Sequence, residues 1–191
     1  MRIIRNFFRK IRYKIKFFGK KKNSPFYKSN FKSDDFLTNL MNKYGSDKGG
    51  LNNHHNYSCY YTEIFCLKRK KIKNFLEIGL GTNNVNVPSN MGAKGKPLAS
   101  LRAWKEYFPN ANIFGADIDK DILKNEDRIQ TCFVDQRDPE TILKMFQEFK
   151  VEKFDVIIED GLHEFNANIS FFENAIGYLS NDGIYIIEDI F

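Results

Sequence analysis

The sequence has few cysteines, and those present form no recognisable pattern. Its 191 residues contain three: Cys59, Cys66 and Cys132. An odd number argues against a closed disulfide framework, and the spacing does not match paired metal ligands. We therefore expect reduced thiols in a cytoplasmic protein, with Cys132 inside a strand.

Long hydrophobic runs are also absent. No window reaches the ~18 consecutive apolar residues that a membrane-spanning helix needs, and charged residues interrupt every candidate apolar region of a secretory signal. The hydrophobic fraction of 42% and the aromatic fraction of 15% are typical of a globular protein. The length of 191 residues suits one domain with a real core and is too short for two.

Acidic residues are missing from residues 1–22, which hold ten Lys and Arg. The rest of the chain has 20 Lys and Arg against 24 Asp and Glu, so its net charge is −4 although the whole chain carries +6. Apolar residues recur among these cations at helical spacing: Ile4, Phe7, Phe8, Ile11, Ile15 and Phe18. This pattern predicts an amphipathic helix in peripheral contact with an anionic membrane, at the inner membrane face.

Two other interpretations of this basic arm stay open. It could be a helix that packs on the domain or on a partner, or an unstructured segment. Nucleic acid is not expected as a partner, because the rest of the chain has no basic-aromatic RNA motif.

Apolar runs alternate with amphipathic segments from residue 74 onward. Strands are predicted at 74–80, 112–117, 128–134, 154–159 and 183–188, and helices at 98–108, 119–126, 138–150 and 164–179. This alternation is typical of an α/β fold with a parallel sheet, right-handed crossovers and helices on both faces. Ligands in such folds bind beyond the carboxyl ends of the strands, near the point where the strand order reverses.

The first predicted strand stops at two glycines. Gly79 and Gly81 allow a turn tight enough for the backbone to approach a ligand. Glu77, just before the turn, is an acid that is costly to bury without hydrogen-bond donors. We therefore expect a ligand with amine or hydroxyl groups here. The alternative is an ordinary strand-to-helix turn.

Polar residues at the ends of the next two strands extend this site. Asp117 ends the second strand, where a carboxylate commonly holds a ribose diol, and Asp135 and Gln136 follow the third, where they can bind an adenine edge. These residues predict an adenosine-containing cofactor. A dinucleotide fingerprint would continue to a third glycine and directly into a helix. An Asn-rich loop follows Gly81 instead, so a phosphate-free cofactor is favoured over NAD.

A helical region is predicted ahead of the sheet. One helix runs from Asp34 to Tyr44, and a second carries Tyr57, Tyr61 and Phe65 on one face, because these residues recur every four positions. A polar loop between the two helices contains Lys48. On one interpretation Lys48 and Tyr57 cover a ligand on the glycine turn, and on the other the helices only pack beside the sheet.

The motifs from Leu76 to Asp189 resemble those of class I S-adenosylmethionine-dependent methyltransferases. The resemblance is to a bacterial branch that contains macrolide-sugar O-methyltransferases and methyltransferases of surface-polysaccharide gene clusters, and it covers residues 43–191. The matching segments are Leu76 to Thr82, Pro88 to Gly92, Ser100 to Trp104, Gly115 to Asp119, Val134 to Gln136 and Asp160 to His163, with Asp47, Lys48, His55, Tyr57 and Tyr61 upstream.

This resemblance implies a Rossmann-like sheet and S-adenosylmethionine as the cofactor. The residues predicted to contact the cofactor are Lys48, Tyr57, Glu77, Gly79, Gly81, Asn83, Ser100, Asp117, Asp135 and Gln136.

Acidic residues also end the last two predicted strands. Neighbouring parallel strands would bring Asp160 close to Glu188 and Asp189, and carboxylates that converge without a basic partner repel one another unless a cation lies between them. Mg²⁺ prefers such oxygen ligands. The family resemblance implies the same roles, with Asp160, Glu188 and Asp189 as metal ligands and His163 as the general base. The alternative is that these acids are solvated strand ends and that His163 caps the following helix.

The predicted function is divalent-metal-assisted methyl transfer from S-adenosylmethionine to a sugar hydroxyl in polysaccharide or glycoconjugate biosynthesis. The acceptor would be a sugar, a nucleotide sugar or a glycan, and a homo-oligomer stays open. One alternative is N-methyl transfer to an amine or phosphoramidate. Another is a truncated, non-catalytic module that binds the cofactor or a partner. An NAD-dependent sugar enzyme is disfavoured by the missing third glycine.

The predicted chain has three parts. Residues 1–32 form a basic amphipathic arm and linker, residues 33–73 a helical cap region, and residues 74–191 a Rossmann-like methyltransferase core. Family members continue past the fifth strand with further strands and a substrate-side loop. Because the sequence stops at Phe191, we expect a core that is truncated after the fifth strand.

Overall fold

Five parallel strands form one sheet in the order β3-β2-β1-β4-β5. The computed structural model describes residues 36–50 and 55–190, so the predicted basic arm lies outside the described residues. The strands are β1 (Asn74–Ile78), β2 (Asn112–Asp117), β3 (Ile129–Phe133), β4 (Phe154–Glu159) and β5 (Leu179–Ile187). The α-helices are α1 (Phe36–Tyr44), α2 (Tyr57–Phe65), α3 (Ala99–Tyr107), α4 (Pro139–Phe149) and α5 (Phe165–Ala175).

Alternating side chains of the central strands build a separate core on each face of the sheet. On one face Phe75 packs with residues of α1, α2 and α3, among them Trp104, whose side chain is fully buried. On the other face Leu76 packs with residues of α4 and α5, such as Phe146 and Phe171. The predicted parallel sheet with helices on both faces is confirmed.

The strand ends that were predicted to carry the site lie at one level of the sheet. Ile78 of β1 is paired with Ala116 of β2 and with Glu159 of β4, and Glu159 is paired in turn with Ile187 of β5. The polar residues that follow these positions are therefore neighbours. The strand order reverses between β1 and β4, which is where ligands bind in such sheets.

The prediction of a helix at residues 119–126 is wrong. The Asp119 side chain accepts a hydrogen bond from the backbone two residues later, and only the 3₁₀ turn Lys120–Ile122 follows. Asn125 Oδ1 then accepts from the backbone N–H of Thr131 at 2.8 Å. These local side-chain bonds satisfy the backbone in place of helical ones.

The last helix and strand also have different limits from those predicted. The helix expected at 164–179 ends at Ala175, where the 3₁₀ turn Ile176–Tyr178 leads into β5. The strand begins at Leu179, opposite Phe154, and a register irregularity precedes its main pairing with β4. Cys132 lies inside β3 as predicted, and all three cysteines are free. None of the helices in the described ranges combines the length and apolar character needed to cross a bilayer.

Candidate active site at the carboxyl ends of the strands

The glycine turn after β1 is in van der Waals contact with the end of β4. Gly79 has a φ of +88°, and a Cβ atom placed on it would lie 2.0 Å from the carbonyl oxygen of Asp160. Only glycine allows both this backbone conformation and this approach. Gly81 is also left-handed, at φ +74°, but a Cβ atom there would meet only Met91. Gly79 thus allows the backbones of the turn and of Asp160 to approach closely, whereas the neighbour of Gly81 is a flexible side chain.

Asp117, at the end of β2, holds the glycine turn in place. Its Oδ2 accepts from the backbone N–H of Leu80 at 2.6 Å, and its Oδ1 accepts from that of Asp119 at 2.9 Å. Burial raises the pKa of this carboxyl group, and these backbone donors oppose the rise. The residue predicted to hold a ribose is therefore a carboxylate in a fixed position at the sheet edge.

Lys48 brings an ammonium group into the cluster of acidic strand ends. It lies in the short 3₁₀ turn Asp47–Gly49, and its side chain is 3% exposed. Its Nζ donates to Asp160 and, at 2.8 Å, to Glu188 Oε2. Burial opposes the charged form, but the attraction of these carboxylates outweighs burial, so the pKa of Lys48 lies well above its usual value. The acids thus have the basic partner that the sequence analysis did not expect.

Two tyrosines of α2 bind the acidic residues that follow β5. The Tyr61 hydroxyl donates to Glu188, and the Tyr57 hydroxyl donates to Asp189. Burial raises the pKa of both phenols, so both remain hydrogen-bond donors at neutral pH. Burial together with the nearby Asp160 raises the pKa of Glu188, and the bonds from Lys48 and Tyr61 oppose that rise.

Glu77 presents one unpaired oxygen at the centre of the site. Its Oε2 accepts from Trp104 Nε1 at 2.7 Å. Its Oε1 has no hydrogen-bond partner among the described residues, since Lys48 Nζ lies 3.6 Å away. Burial raises the pKa of Glu77 to about 7, although Lys48 lowers it. A fully buried acceptor without a donor is costly, and an amine or hydroxyl of a ligand would satisfy it.

Asp160, His163 and Asp189 form a group that could hold a metal ion. One ligand atom from each lies within 4.8 Å of the others. His163 Nε2 lies 3.1 Å from Asp160 Oδ1, and this hydrogen bond raises the pKa of the imidazole. Burial would raise the pKa of Asp160, but Lys48 and His163 outweigh it and hold that pKa below its usual value. Ionised carboxylates are the donors that hard divalent cations such as Mg²⁺ require.

The predicted metal ligand Glu188 lies outside this group of three. Both of its oxygens bond to protein donors, one to Lys48 and one to Tyr61. Its position is nevertheless at the same sheet edge, because its backbone N–H bonds to the carbonyl of Glu159 at 2.9 Å.

The residues predicted to bind an adenine base have partners within the protein. Both oxygens of Asp135 bond to the guanidinium of Arg137, which lowers the pKa of that carboxyl group. Gln136 is 6% exposed and bonds to Glu159 and to the backbone of Leu162. Asn83 is exposed, and Ser100 is buried at the start of α3.

Three side chains at the site were not predicted to take part in it. Trp104 binds Glu77, Tyr61 binds Glu188, and the His55 ring stacks on Tyr57 with its Nδ1 3.6 Å from Asp189 Oδ1. The four-residue spacing of Tyr57 and Tyr61 places both on one face of a helix. That spacing and the family resemblance, which includes His55 and Tyr61, were the sequence signals that pointed to these residues.

The sheet order and the polar strand ends define a Rossmann-like methyltransferase fold, as predicted. No protein-family model matches the chain. Among solved structures, the chain is similar to the MycE methyltransferase from the mycinamycin biosynthetic pathway in complex with Mg and SAH. The two are 29% identical with a TM-score of 0.67, over 81% of this chain and 39% of that chain.

Curated relatives point to the same class of protein. The chain is 35% identical over 158 residues to L-olivosyl-oleandolide 3-O-methyltransferase of Streptomyces antibioticus. It is 30% identical over 154 residues to 8-demethyl-8-alpha-L-rhamnosyl tetracenomycin-C 2'-O-methyltransferase of Streptomyces olivaceus. Each match covers 81% of this chain and 37% of the relative's length. The resemblance to class I S-adenosylmethionine-dependent O-methyltransferases of the macrolide-sugar type is confirmed.

Proposed function

We propose that the protein transfers a methyl group from S-adenosylmethionine to a sugar hydroxyl. The observation that carries this proposal is the group of Asp160, His163 and Asp189 next to the glycine turn of β1. The relatives support it, because two are named as O-methyltransferases of sugar-bearing antibiotics. For this chain we propose an acceptor used in polysaccharide or glycoconjugate assembly.

The residues around the glycine turn fit the cofactor. The unpaired Oε1 of Glu77 can accept a hydrogen bond from the amino group of an amino-acid moiety. The atom nearest to a Cβ position at Gly81 belongs to the flexible Met91 side chain, which can move aside for a ligand that approaches the backbone. Asp117 is fixed one strand away, where a ribose can bind it. S-adenosylmethionine would supply a methyl group on a positively charged sulfur, which an acidic site also favours.

The acidic strand ends fit a divalent cation. Asp160 and Asp189 would hold it. Glu188 would be a further ligand if its hydrogen bonds with Lys48 and Tyr61 were broken. Such an ion supplies a Lewis acid that lowers the pKa of a bound hydroxyl.

His163 is placed to take the proton of the acceptor hydroxyl. Because Asp160 is ionised, His163 Nε2 donates to it, and the lone pair for the incoming proton lies on Nδ1. In the transfer the new bond joins the acceptor oxygen to the methyl carbon, the sulfur–methyl bond breaks, and its electron pair stays on sulfur. An amine or phosphoramidate nitrogen would use the same base.

Calorimetry is expected to separate this function from its alternatives. S-adenosylmethionine and SAH, its demethylated product, should bind the full chain, and NAD should not. A radiolabelled methyl assay with Mg²⁺ and a panel of nucleotide sugars should then give labelled product that a chelator abolishes. Binding without transfer to any acceptor would favour the non-catalytic module. NAD binding, or no binding of either sulfur compound, would contradict the proposal.

We also propose that the basic arm places the enzyme at an anionic membrane, on the inner face. Ten Lys and Arg without any acid in residues 1–22, interleaved with Ile and Phe, support this. Full-length protein should sediment with vesicles that contain anionic lipid and should be released by high salt. A variant that lacks residues 1–23 should stay in the supernatant. Equal sedimentation of both proteins would contradict the proposal.

A further inference from the structure

A buried polar network lies behind the candidate active site, on the opposite face of β4. Glu159 is 1% exposed and points to the face of α4 and α5, whereas Asp160, the next residue, points to the side of Lys48. Gln136 Nε2 donates to Glu159 Oε1 at 3.0 Å, and the Tyr185 hydroxyl donates to Glu159 Oε2 at 2.6 Å. Asn168 Nδ2 also donates to Glu159 Oε1 when its amide is turned to face that acceptor.

This network reaches the loop that carries His163. Gln136 Oε1 accepts a hydrogen bond from the backbone N–H of Leu162 at 2.7 Å. The approach depends on Gly161, because a Cβ atom there would lie 2.0 Å from Gln136 Oε1. From the other side, Ser89 Oγ donates to the backbone carbonyl of Leu162 at 3.0 Å. The backbone N–H and the backbone carbonyl of Leu162, the residue before His163, are therefore both hydrogen-bonded to side chains.

The loop requires such support because its backbone is strained. His163 has a φ of +60°, a left-handed conformation that residues other than glycine adopt at a cost. Such a conformation persists only where the surrounding structure imposes it. The bond from Gln136 to Leu162 is a buried contact of this loop, whereas Ser89 is exposed. A shift of this loop would displace the imidazole of His163 and break its contact with Asp160.

We propose that Gln136, held by Glu159, is a positioning residue for His163. Gln136 was predicted to contact the adenine of the cofactor; in the structure the nitrogen and the oxygen of its side-chain amide both bond to the protein. This inference rests on the proposed function, since it assumes that His163 acts in the reaction.

Reversal of the pair provides the sharpest test. In the full chain, Gln136→Leu removes both of its hydrogen bonds, and Gln136→Glu places two carboxylates side by side. Gln136→Glu combined with Glu159→Gln restores the pair with donor and acceptor exchanged, and leaves an acceptor for the Leu162 N–H. Gln147→Leu makes the same chemical change on the exposed side of α4 and is the matched control.

The backbone amide of Leu162 reports on positioning without any turnover. Its hydrogen exchange should become about tenfold faster in Gln136→Leu, as expected for the loss of one hydrogen bond, and kcat should fall about tenfold while the KM of the cofactor stays within about twofold. The reversed pair should recover both values, and Gln147→Leu should change neither. If Gln136→Leu does not fold, Gln136→Glu and the reversed pair are compared with each other.

Two results would overturn the inference. One is unchanged exchange of the Leu162 amide in Gln136→Leu, and the other is a reversed pair that is no better than Gln136→Glu alone. Absence of methyl transfer by the unmodified protein would instead contradict the proposed function, and the exchange measurement would still test whether Gln136 holds the loop.

Discussion

Replacement of Lys48 by methionine is expected to destabilise the protein by about 3–5 kcal/mol, the cost of removing one partner from a buried ion pair. Methionine fits the space of the lysine stem but leaves Asp160 and Glu188 without their shared cation. Glu77 would also lose the positive charge that lies 3.6 Å from its Oε1. The measurement is the free energy of unfolding from urea titration, in metal-free buffer, for both proteins.

Two further variants show whether the loss comes from the unpaired acids. Lys144→Met makes the same change at an exposed position of α4 and should alter stability by less than about 0.5 kcal/mol. Lys48→Met combined with Glu188→Gln should recover part of the loss, because one of the unpaired carboxylates is removed. A single variant as stable as the unmodified protein would mean that the ammonium contributes little to the folded state.

The acidic strand ends could be predicted because a few neighbouring residues in the sequence are enough to identify each of them. Each apolar run ends directly at its polar residue, and parallel pairing brings such ends to one edge. Asp117 and Asp160 therefore lie where the sequence analysis expected them, on either side of the glycine turn. Alternating strands and helices fixed the fold class for the same reason.

The partners of these acids could not be predicted in the same way. Lys48 reaches Asp160 across 112 positions of the chain, from a loop that precedes the sheet. Nothing in the loop sequence shows that its ammonium is buried. The protein partners of Gln136 could not be predicted for a related reason. A side chain that follows a strand can point to either face of the sheet, and the close packing of Gly161 against Gln136 shows which face it takes.

The prediction of a helix at residues 119–126 was wrong because it followed the sequence pattern and gave no weight to polar side chains that compete for backbone hydrogen bonds. Asp119 and Asn125 bond to nearby backbone N–H groups, and such bonds replace those of a helix. Residues of this type are common in capping and turn positions, so their number in this short segment was the signal against a helix.

Replacement of His163 is expected to lower kcat by about 10²–10⁴, the usual contribution of a general base. The preferred variant is His163→Asn, because asparagine tolerates the left-handed φ of +60° at this position and cannot accept the proton. Binding of SAH should change by less than about threefold, because Glu77 and Asp117 lie on other strands. The measurements are methyl transfer under saturating substrates and calorimetric titration with SAH.

Chemical rescue and the metal dependence distinguish a base from a metal ligand. His163→Ala leaves a space at the imidazole position, so added imidazole should restore part of its activity if the ring acts as a base. Because His163 also lies within 4.8 Å of the ligand atoms of Asp160 and Asp189, loss of a ligand would instead raise the Mg²⁺ concentration needed for half-maximal activity. Full activity of His163→Asn at every Mg²⁺ concentration would remove His163 from the mechanism and leave the acidic strand ends as candidates for activating the hydroxyl.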